Sequence, residues 1–317
     1  MSNKPILAVF GATGAQGGGV VRAALADPKS PFTVRAITRN VQSDKARALA
    51  AQGVDVVAGN IDDEASLVKA LTGAHAAFCV TNFWEHMSPE RETTQGKNLA
   101  HAAKQAGVKH AIWSTFEDVR DYVPLNDSSM PTLHGKYKVP HFDAKAEANS
   151  TFTDLGVPTT FLVTSFYWDN MIFFGSGPQR GPDGVLGLTF PLGDKPMPSI
   201  AGADNGGVAY GVFLRPELIG STVGAAAAHL TGAQMASGLS KAIGEEVRFN
   251  DVPADVYRSF GFPGADDLGN MFQFKRDFND MYCGHRNLAK ARELFPAMQS
   301  YESWLAENAG KIPIPKK

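Results

Sequence analysis

Cysteine is scarce in this sequence, and long apolar runs are absent from it. Cys79 and Cys283 are the 2 cysteines among 317 residues, and their surroundings lack the spacing of a metal site. Two thiols in a chain of this length argue against a disulfide framework and indicate a reducing compartment. The apolar run near the N-terminus is too short for a signal-peptide core or a membrane span. We therefore expect a cytoplasmic protein without membrane attachment.

Net charge is also small. The formal charge is -2 and the isoelectric point is about 6.4, which gives no electrostatic reason to expect direct contact with nucleic acid or a membrane. The 8 histidines are scattered along the chain, and we expect no metal site. The expected partners are a small-molecule substrate or a regulatory protein, and a homodimer is left open.

What the sequence does have is a regular alternation of apolar runs and helical segments. Through its first half, short runs are typical of strands: PILAVFG, FTVRAITRN, VDVVAGN, AHAAFCVTN, VKHAIWSTF and VPTTFLVTSFYWDN. Such alternation predicts an α/β fold of the Rossmann type, with a doubly wound parallel sheet. After about residue 170 the chain is rich in Gly and Pro, which predicts loops and hairpins. We predict a main domain over 1–165 and a smaller, irregular α+β lobe over 166–317, whose chain crosses back to the main sheet.

A glycine cluster follows the first predicted strand. VFGATGAQGGGVV places Gly11, Gly14 and Gly17 three residues apart, between a strand and a helix. In a dinucleotide site the first glycine permits a tight turn, the second lets the backbone approach a pyrophosphate, and the third permits close packing of the helix. The free N–H groups of the helix N-terminus attract the phosphates. This context predicts a nicotinamide dinucleotide site.

The ends of the next strands indicate which dinucleotide binds. The second strand ends in ITRN, without the acidic residue that binds the ribose hydroxyls of NAD, and Arg39 is placed to pair with a 2′-phosphate. We therefore predict NADP(H) as the cofactor. The ends of the third and fourth strands are expected to edge the adenine and the nicotinamide, with Asn60, Ile61 and Asp62 at the first and Thr81, Asn82 and Phe83 at the second.

Taken together, several stretches resemble the NmrA-like family of atypical short-chain dehydrogenases, and within it the NADPH redox-sensor proteins. The resemblance rests on AVFGATGAQGGGV, ITRN, VTNFWE, HFDAKAE and GFPGADDLGNMFQF, and it covers nearly the whole chain. It implies an NADP(H)-binding domain, a smaller lobe and a sensing role through partners. The residues that it implies around the cofactor are Gly11, Thr13, Gly14, Gln16, Gly17, Arg39, Asn82, Lys97 and Lys145. Asn60 departs from the family pattern, which has an acid there.

The segment HFDAKAEANSTFTDLG is typical of one helix and carries the candidate chemistry. Short-chain reductases place a proton-donating Tyr four residues before a Lys, and here His141 stands four residues before Lys145. Ser114 occupies the place of the serine that polarises the substrate. His141 is a candidate acid, although a neighbouring Lys145 disfavours its charged form. Lys145 is expected to bind the ribose, with a role as base left open. Tyr137 is an alternative donor.

Two aromatic clusters lie in the second half of the chain. Phe166, Tyr167 and Trp168 form the first, and Met271, Phe272 and Phe274 belong to the second. They are expected either to line an apolar substrate pocket or to form the core of the smaller lobe. Because the usual Tyr is missing, the sequence favours an NADP(H)-responsive sensor or regulator. The alternative is an NADPH-dependent reductase of a small carbonyl, quinone or enone that uses Lys145 and His141.

Overall fold

The computed structural model describes residues 4–316. The strands of this part of the chain are β1 (Ile6–Phe10), β2 (Thr33–Thr38), β3 (Asp55–Ala58), β4 (Ala74–Cys79), β5 (His110–Thr115), β6 (Thr159–Val163), β7 (Phe166–Tyr167), β8 (Gln179–Arg180), β9 (Leu186–Phe190), β10 (Met197–Ile200), β11 (Thr222–Gly224), β12 (Ala228–Leu230) and β13 (Val247–Asp251). The helices are α1 (Ala15–Ala26), α2 (Asp44–Ala51), α3 (Glu64–Leu71), α4 (Pro89–Gln105), α5 (Pro140–Glu147), α6 (Asn149–Asp154), α7 (Asn170–Phe173), α8 (Gly202–Phe213), α9 (Gly232–Ile243), α10 (Ala254–Arg258), α11 (Ala265–Asp277), α12 (Asn279–His285), α13 (Leu288–Leu294) and α14 (Tyr301–Asn308).

The central sheet has the order β11-β6-β5-β4-β1-β2-β3, and each neighbouring pair is parallel. This confirms the predicted fold class. The order reverses between β1 and β4, which is the topological switch point where α/β sheets open a crevice at the carboxyl ends of their strands.

The two faces of the central sheet belong to different parts of the hydrophobic core. Leu7 and Val9 of β1 pack with α1 and α8, whereas Ala8 and Phe10 pack with α3 and α4. Successive side chains of a strand point to opposite faces, so a nearly continuous apolar strand is buried on both sides. This explains the short apolar runs that mark the strands in the sequence.

The C-terminal part of the chain builds two small sheets and returns to the central one. One sheet has the order β12-β10-β7 and the other β13-β9-β8. Their core is rich in aromatic side chains, including Trp168, Phe190, Tyr282 and Trp304. Helix α8 packs against α1, and β11 pairs with β6 at the sheet edge. The domain boundary at residue 165 stays a prediction.

Some elements differ from the sequence-based predictions. The strand predicted over VPTTFLVTSFYWDN is two strands, because β6 ends at Val163 and β7 belongs to another sheet. The helix predicted from His141 to Gly156 is divided between α5 and α6. No helix between residues 4 and 316 combines the length and the apolar character needed to cross a membrane.

Candidate functional site

A cavity of about 650 Å³ opens at the carboxyl ends of the central strands. Its wall takes residues from the segments that follow β1 to β6 and from α5, α7 and α11. The predicted site residues in this wall are Gly11, Thr13, Gly14, Gln16, Gly17, Arg39, Ile61, Thr81, Asn82, Phe83, His141 and Lys145. The cavity therefore brings most of the predicted residues of the first half together with the C-terminal part of the chain.

The turn between β1 and α1 packs its backbone closely because it is built from glycine. Gly11 has a φ of 61°, in the region that favours glycine. A Cβ on Gly17 would lie 2.4 Å from the Phe10 carbonyl oxygen, and one on Gly14 would lie 3.2 Å from that of Gly11. Among the described residues no side chain caps the N-terminus of α1, and its first turn carries no acid. These features fit a bound pyrophosphate, whose charge the free N–H groups attract.

Arg39 lies at the rim of the cavity and already has an acidic partner. Its Nη1 bonds to Glu85 Oε1, and its Nη2 lies 3.2 Å from Glu85 Oε2. Both side chains are exposed, and both residues line the cavity. Lys45, which the sequence analysis missed, reaches the same region, with its Nζ 3.5 Å from the Thr13 carbonyl oxygen. The cationic side chains of Arg39 and Lys45 therefore both lie near the place predicted for a 2′-phosphate.

Four predicted residues lie outside the cavity wall. Asn60 and Asp62 are held in the turn after β3, where Asn60 Oδ1 accepts from the Asp62 backbone and Asp62 pairs with Arg91 at 2.6 Å. Lys97 is exposed on α4. Ser114 is buried, and its hydroxyl donates to Gln16 Oε1 at 2.7 Å. Ser114 thus lies outside the cavity wall and contacts Gln16, which belongs to that wall; its expected role beside a substrate stays a prediction.

Lys145 sits in a buried group of polar side chains. Its Nζ lies 2.6 Å from Glu92 Oε1 and 2.6 Å from the Thr81 hydroxyl. The other oxygen of Glu92 faces His86 Nε2 at 3.2 Å. Burial opposes the ionised form of Glu92, but the Lys145 ammonium and hydrogen bonds from His86, Lys145 and Thr81 outweigh it and lower the pKa to about 2. Lys145 is therefore held in place at the cavity wall by Glu92 and Thr81.

His141 also has a carboxylate partner. Its Nδ1 lies 2.6 Å from Asp267 Oδ1, and its backbone N–H donates to Asp267 Oδ2. A carboxylate accepts, so this contact assigns the Nδ1 proton to His141 and leaves Nε2 as the other ring nitrogen. The imidazole packs 4.8 Å from the Trp84 ring. From the sequence, Lys145 was the one expected charged neighbour of His141, whereas Asp267, with the opposite charge, was not expected there.

The aromatic clusters divide between the cavity and the core. Phe166, Tyr167, Met271 and Phe272 line the cavity, whereas Trp168 and Phe274 belong to the core alone. Tyr137, the alternative proton donor, is buried away from the cavity wall, with the Lys136 Nζ 4.8 Å from its ring centre. These residues therefore contribute to both the cavity wall and the core, and the substrate pocket stays a prediction.

Glu92, Asp267, Glu85, Trp84 and Lys275 are the main cavity or partner residues that the sequence analysis did not assign. Glu92 and Asp267 stand in the first turns of α4 and α11, where an acid is common because it complements the helix dipole. Their position in the sequence did not indicate that Glu92 also contacts Lys145 or that Asp267 also contacts His141. Lys275 follows the aromatic stretch of α11 and gave no signal either.

Comparison with known proteins finds similar sequences over most of this chain. An NmrA-like family model matches residues 3–305. The NmrA-like family domain-containing oxidoreductase lnbB of Aspergillus flavus is 32% identical over 298 residues, which cover 88% of this chain and 85% of that protein.

Solved structures show the same fold. NmrA, a negative transcriptional regulator, in complex with NADP has a TM-score of 0.77 at 24% identity and covers 98% of this chain and 96% of its own. The NADPH-dependent quinone oxidoreductase QOR2 of Escherichia coli, complexed with NADPH, has a TM-score of 0.69 at 25% identity and covers 96% and 98%. The predicted cofactor is thus of the class found in these structures. The chain belongs to the NmrA-like family.

Proposed function

We propose that this protein is an NADP(H)-dependent oxidoreductase that reduces a planar, apolar carbonyl compound of the quinone or enone class. The observation that carries the proposal is a single cavity that runs from the glycine turn to an aromatic wall and includes His141, held by Asp267. The name of the Aspergillus relative and that of the Escherichia coli structure support an oxidoreductase.

In this proposal each part of the cavity holds a different part of the cofactor. The N–H groups of the turn from Gly11 to Gly17 bind the pyrophosphate, and Arg39 pairs with the 2′-phosphate. Lys145, fixed by Glu92, donates to the nicotinamide ribose. When bound, the reduced cofactor supplies a hydride.

His141 supplies the proton that must accompany the hydride. Its Nδ1–H is held by Asp267, so Nε2 is the nitrogen that exchanges a proton with a substrate oxygen. The carboxylate fixes the ring and stabilises the positive charge of the protonated form, as in other His–carboxylate pairs. The ring returns to the neutral form after donation and takes a new proton from solvent.

The test is NADPH oxidation with 1,4-naphthoquinone by the wild type and by His141→Phe, His141→Gln and Asp267→Asn variants. We expect each variant to lower kcat roughly 100-fold, with NADPH affinity unchanged. His101→Phe, at a half-exposed histidine on α4, is the matched control and should keep full activity. Wild-type rates in all three variants would contradict the proposed role of His141, and a wild type inactive with a panel of quinones and enones would contradict the reductase.

A second candidate function is an NADP(H)-responsive sensor, and one set of contacts favours it. Asp267 holds His141, and Asn270, one turn further along α11, donates to the Pro131 and Lys138 carbonyls at 2.9 and 2.6 Å. Gln273 continues the row with a bond to Ser129. A change beside His141 is thereby coupled to the surface segment 120–140, where a partner protein would bind.

Hydrogen exchange of this segment in the presence of NADPH or NADP⁺ tests the sensor. A sensor needs two states that the ligands favour differently, so we expect different protection of 120–140 with the two ligands. Asn270→Ala should remove the difference while leaving ligand affinity intact. Equal protection with both ligands would reject the sensor.

A further inference from the structure

Lys275 is a buried amine in the wall of the cavity. It lies near the end of α11 and is 2% exposed. Its Nζ donates to Met271 Sδ at 3.2 Å, and within residues 4–316 no carboxylate lies at salt-bridge distance from it. An ammonium has three donors and a thioether is a weak acceptor. Most of the hydrogen-bonding capacity of Lys275 is therefore unused.

The surroundings of Lys275 are aromatic. Its Nζ lies 5.7, 5.6 and 5.5 Å from the ring centres of Phe142, Phe272 and Tyr282. Phe142 and Phe272 also line the cavity. Ring faces attract a cation but do not replace an oxygen acceptor. The chamber beside Lys275 therefore suits a flat aromatic molecule that brings its own oxygen.

A second polar group in the same cavity wall lacks a partner. The Ser165 hydroxyl is buried and makes no hydrogen bond within the described part of the chain. Unsatisfied buried polar atoms are few in folded proteins and call for an explanation such as a ligand. Ser165 and Lys275 therefore both present unused hydrogen-bond donors in the wall of the same cavity.

The charges around Lys275 leave it without a counter-ion of its own. Burial, with a smaller contribution from the nearby Arg286 guanidinium, lowers its pKa to about 7 against the opposing effect of Glu117. Glu117 is bound to Arg286 at 2.7 Å and also faces His285. Tyr282 is the remaining titratable group packed against Lys275, and it stays neutral because burial raises its pKa. A ligand oxygen would thus favour the charged form of Lys275.

We propose that Lys275, with Ser165, forms a binding subsite for the carbonyl or anionic oxygen of a planar aromatic ligand. This proposal rests on the proposed function, because it names the class of substrate that binds in the same cavity. Lys275 is here a specificity residue: its Nζ donates to the ligand oxygen while the rings of Phe142 and Phe272 cover the ligand plane.

The probe is 1-naphthoate, which is planar, anionic and inert to hydride, compared with neutral 1-methylnaphthalene by calorimetric titration of the NADP⁺-loaded protein. We expect the wild type to bind 1-naphthoate more tightly than 1-methylnaphthalene. The Lys275→Met variant should bind 1-naphthoate roughly 10- to 100-fold more weakly than the wild type, which is the range of a charge-assisted hydrogen bond. Its affinity for 1-methylnaphthalene should not change. Lys241→Met, at an exposed lysine on α9, should match the wild type.

The pH dependence gives a second readout. Naphthoate affinity of the wild type should fall as the pH rises above about 7, because Lys275 loses its proton, and this fall should be absent in Lys275→Met. A methionine fits an apolar site, so the variant is expected to fold, and its thermal midpoint checks this.

The outcomes separate the subsite from the proposed function. If the wild type binds naphthoate through Lys275 but oxidises no NADPH with any quinone, the subsite stands and the reductase is rejected. If quinones are reduced while Lys275→Met keeps both its KM for quinone and its affinity for naphthoate, the subsite is rejected and the reductase stands.

Discussion

Arg39 and Glu85 meet at the rim of the cavity, and a 2′-phosphate would have to compete for the same guanidinium. An exposed ion pair contributes about 0–1 kcal/mol, whereas hydrogen bonds to a charged group contribute about 1.5–3 kcal/mol. We predict that Arg39→Ala weakens NADPH binding roughly 10-fold or more and leaves NADH binding unchanged. Glu85→Gln should strengthen NADPH binding up to about fivefold. Titration of NADPH fluorescence at low and high salt measures both effects.

Arg47→Ala is the control for this prediction. Arg47 is exposed on α2 and pairs with Asp44, so its loss should change neither affinity. If Glu85→Gln weakened NADPH binding, Glu85 would be a residue that orients Arg39, and the competition proposed here would be wrong.

At the scale of single residues, the sequence reveals a role when that role depends on residues nearby in the chain. Gly11 and Gly17 can be recognised because the turn and the helix that need them are adjacent in the chain. Asp267 cannot be recognised in this way, because it meets His141 from 126 residues away. An acid in the first turn of a helix looks the same whether it serves only the helix dipole or also holds a distant histidine.

At the scale of elements, the contact between α1 and α8 depends on glycine. A Cβ on Gly19 of α1 would lie 2.1 Å from the Ala203 carbonyl oxygen, and one on Gly206 of α8 would lie 2.2 Å from that of Gln16. A backbone oxygen cannot move away from an added Cβ as easily as the end of a flexible side chain can. We predict that Gly19→Ala lowers the free energy of unfolding by about 1–3 kcal/mol or more, measured by urea denaturation.

Gly284→Ala is the matched control for Gly19→Ala. Gly284 lies in α12, and no atom would come within 4 Å of its added Cβ. Because alanine favours a helix over glycine, the control should be neutral or more stable by up to about 1 kcal/mol. Equal destabilisation by both changes would show that the α1–α8 contact has no special need for glycine.

The same contact explains why α8 was not predicted. The stretch before and within α8 is rich in Gly and Pro, which is typical of loops, yet Gly202, Gly206, Gly207 and Gly211 all lie in the helix. Glycine occurs there because neighbouring elements come too close for a side chain. Sequence periodicity reveals a helix face that is lined by apolar side chains. It does not reveal a helix face that is formed by glycines. The regular strands and helices of the first half carry the usual periodicity, and their order was predicted.

At the scale of the whole molecule, a buried ion pair joins the central sheet to the C-terminal part of the chain. Glu117 follows β5, and the fully buried Arg286 follows α12; the two side chains bond at 2.7 Å, and Arg286 Nε also donates to the Thr164 carbonyl. Glu92 and Lys145 form a second buried pair at the cavity. Removal of one member of such a pair costs about 3–5 kcal/mol, because the other charge is left without compensation.

These two pairs predict how the protein unfolds in acid. Burial opposes ionisation of Glu117, but Arg286 and the hydrogen bonds outweigh it, so the pKa of Glu117, like that of Glu92, is lowered from 4.5 to about 2. A carboxyl group whose pKa is lower in the folded state adds stability that is complete above its unfolded pKa and is lost as the pH falls towards its folded pKa. We therefore predict a loss of stability between about pH 5 and pH 2, to which each group adds up to about 1.4 kcal/mol per pH unit.

Urea denaturation at a series of pH values measures this slope. Glu92→Gln and Glu117→Gln should each unfold more easily at neutral pH, yet each should show a flatter slope between pH 5 and pH 2 by about one proton. Glu246→Gln, at an exposed residue paired with Arg248, should keep the wild-type slope. If the slopes of all three variants equalled that of the wild type, the two buried carboxylates would not govern acid unfolding, and the many exposed acids would have to account for it together.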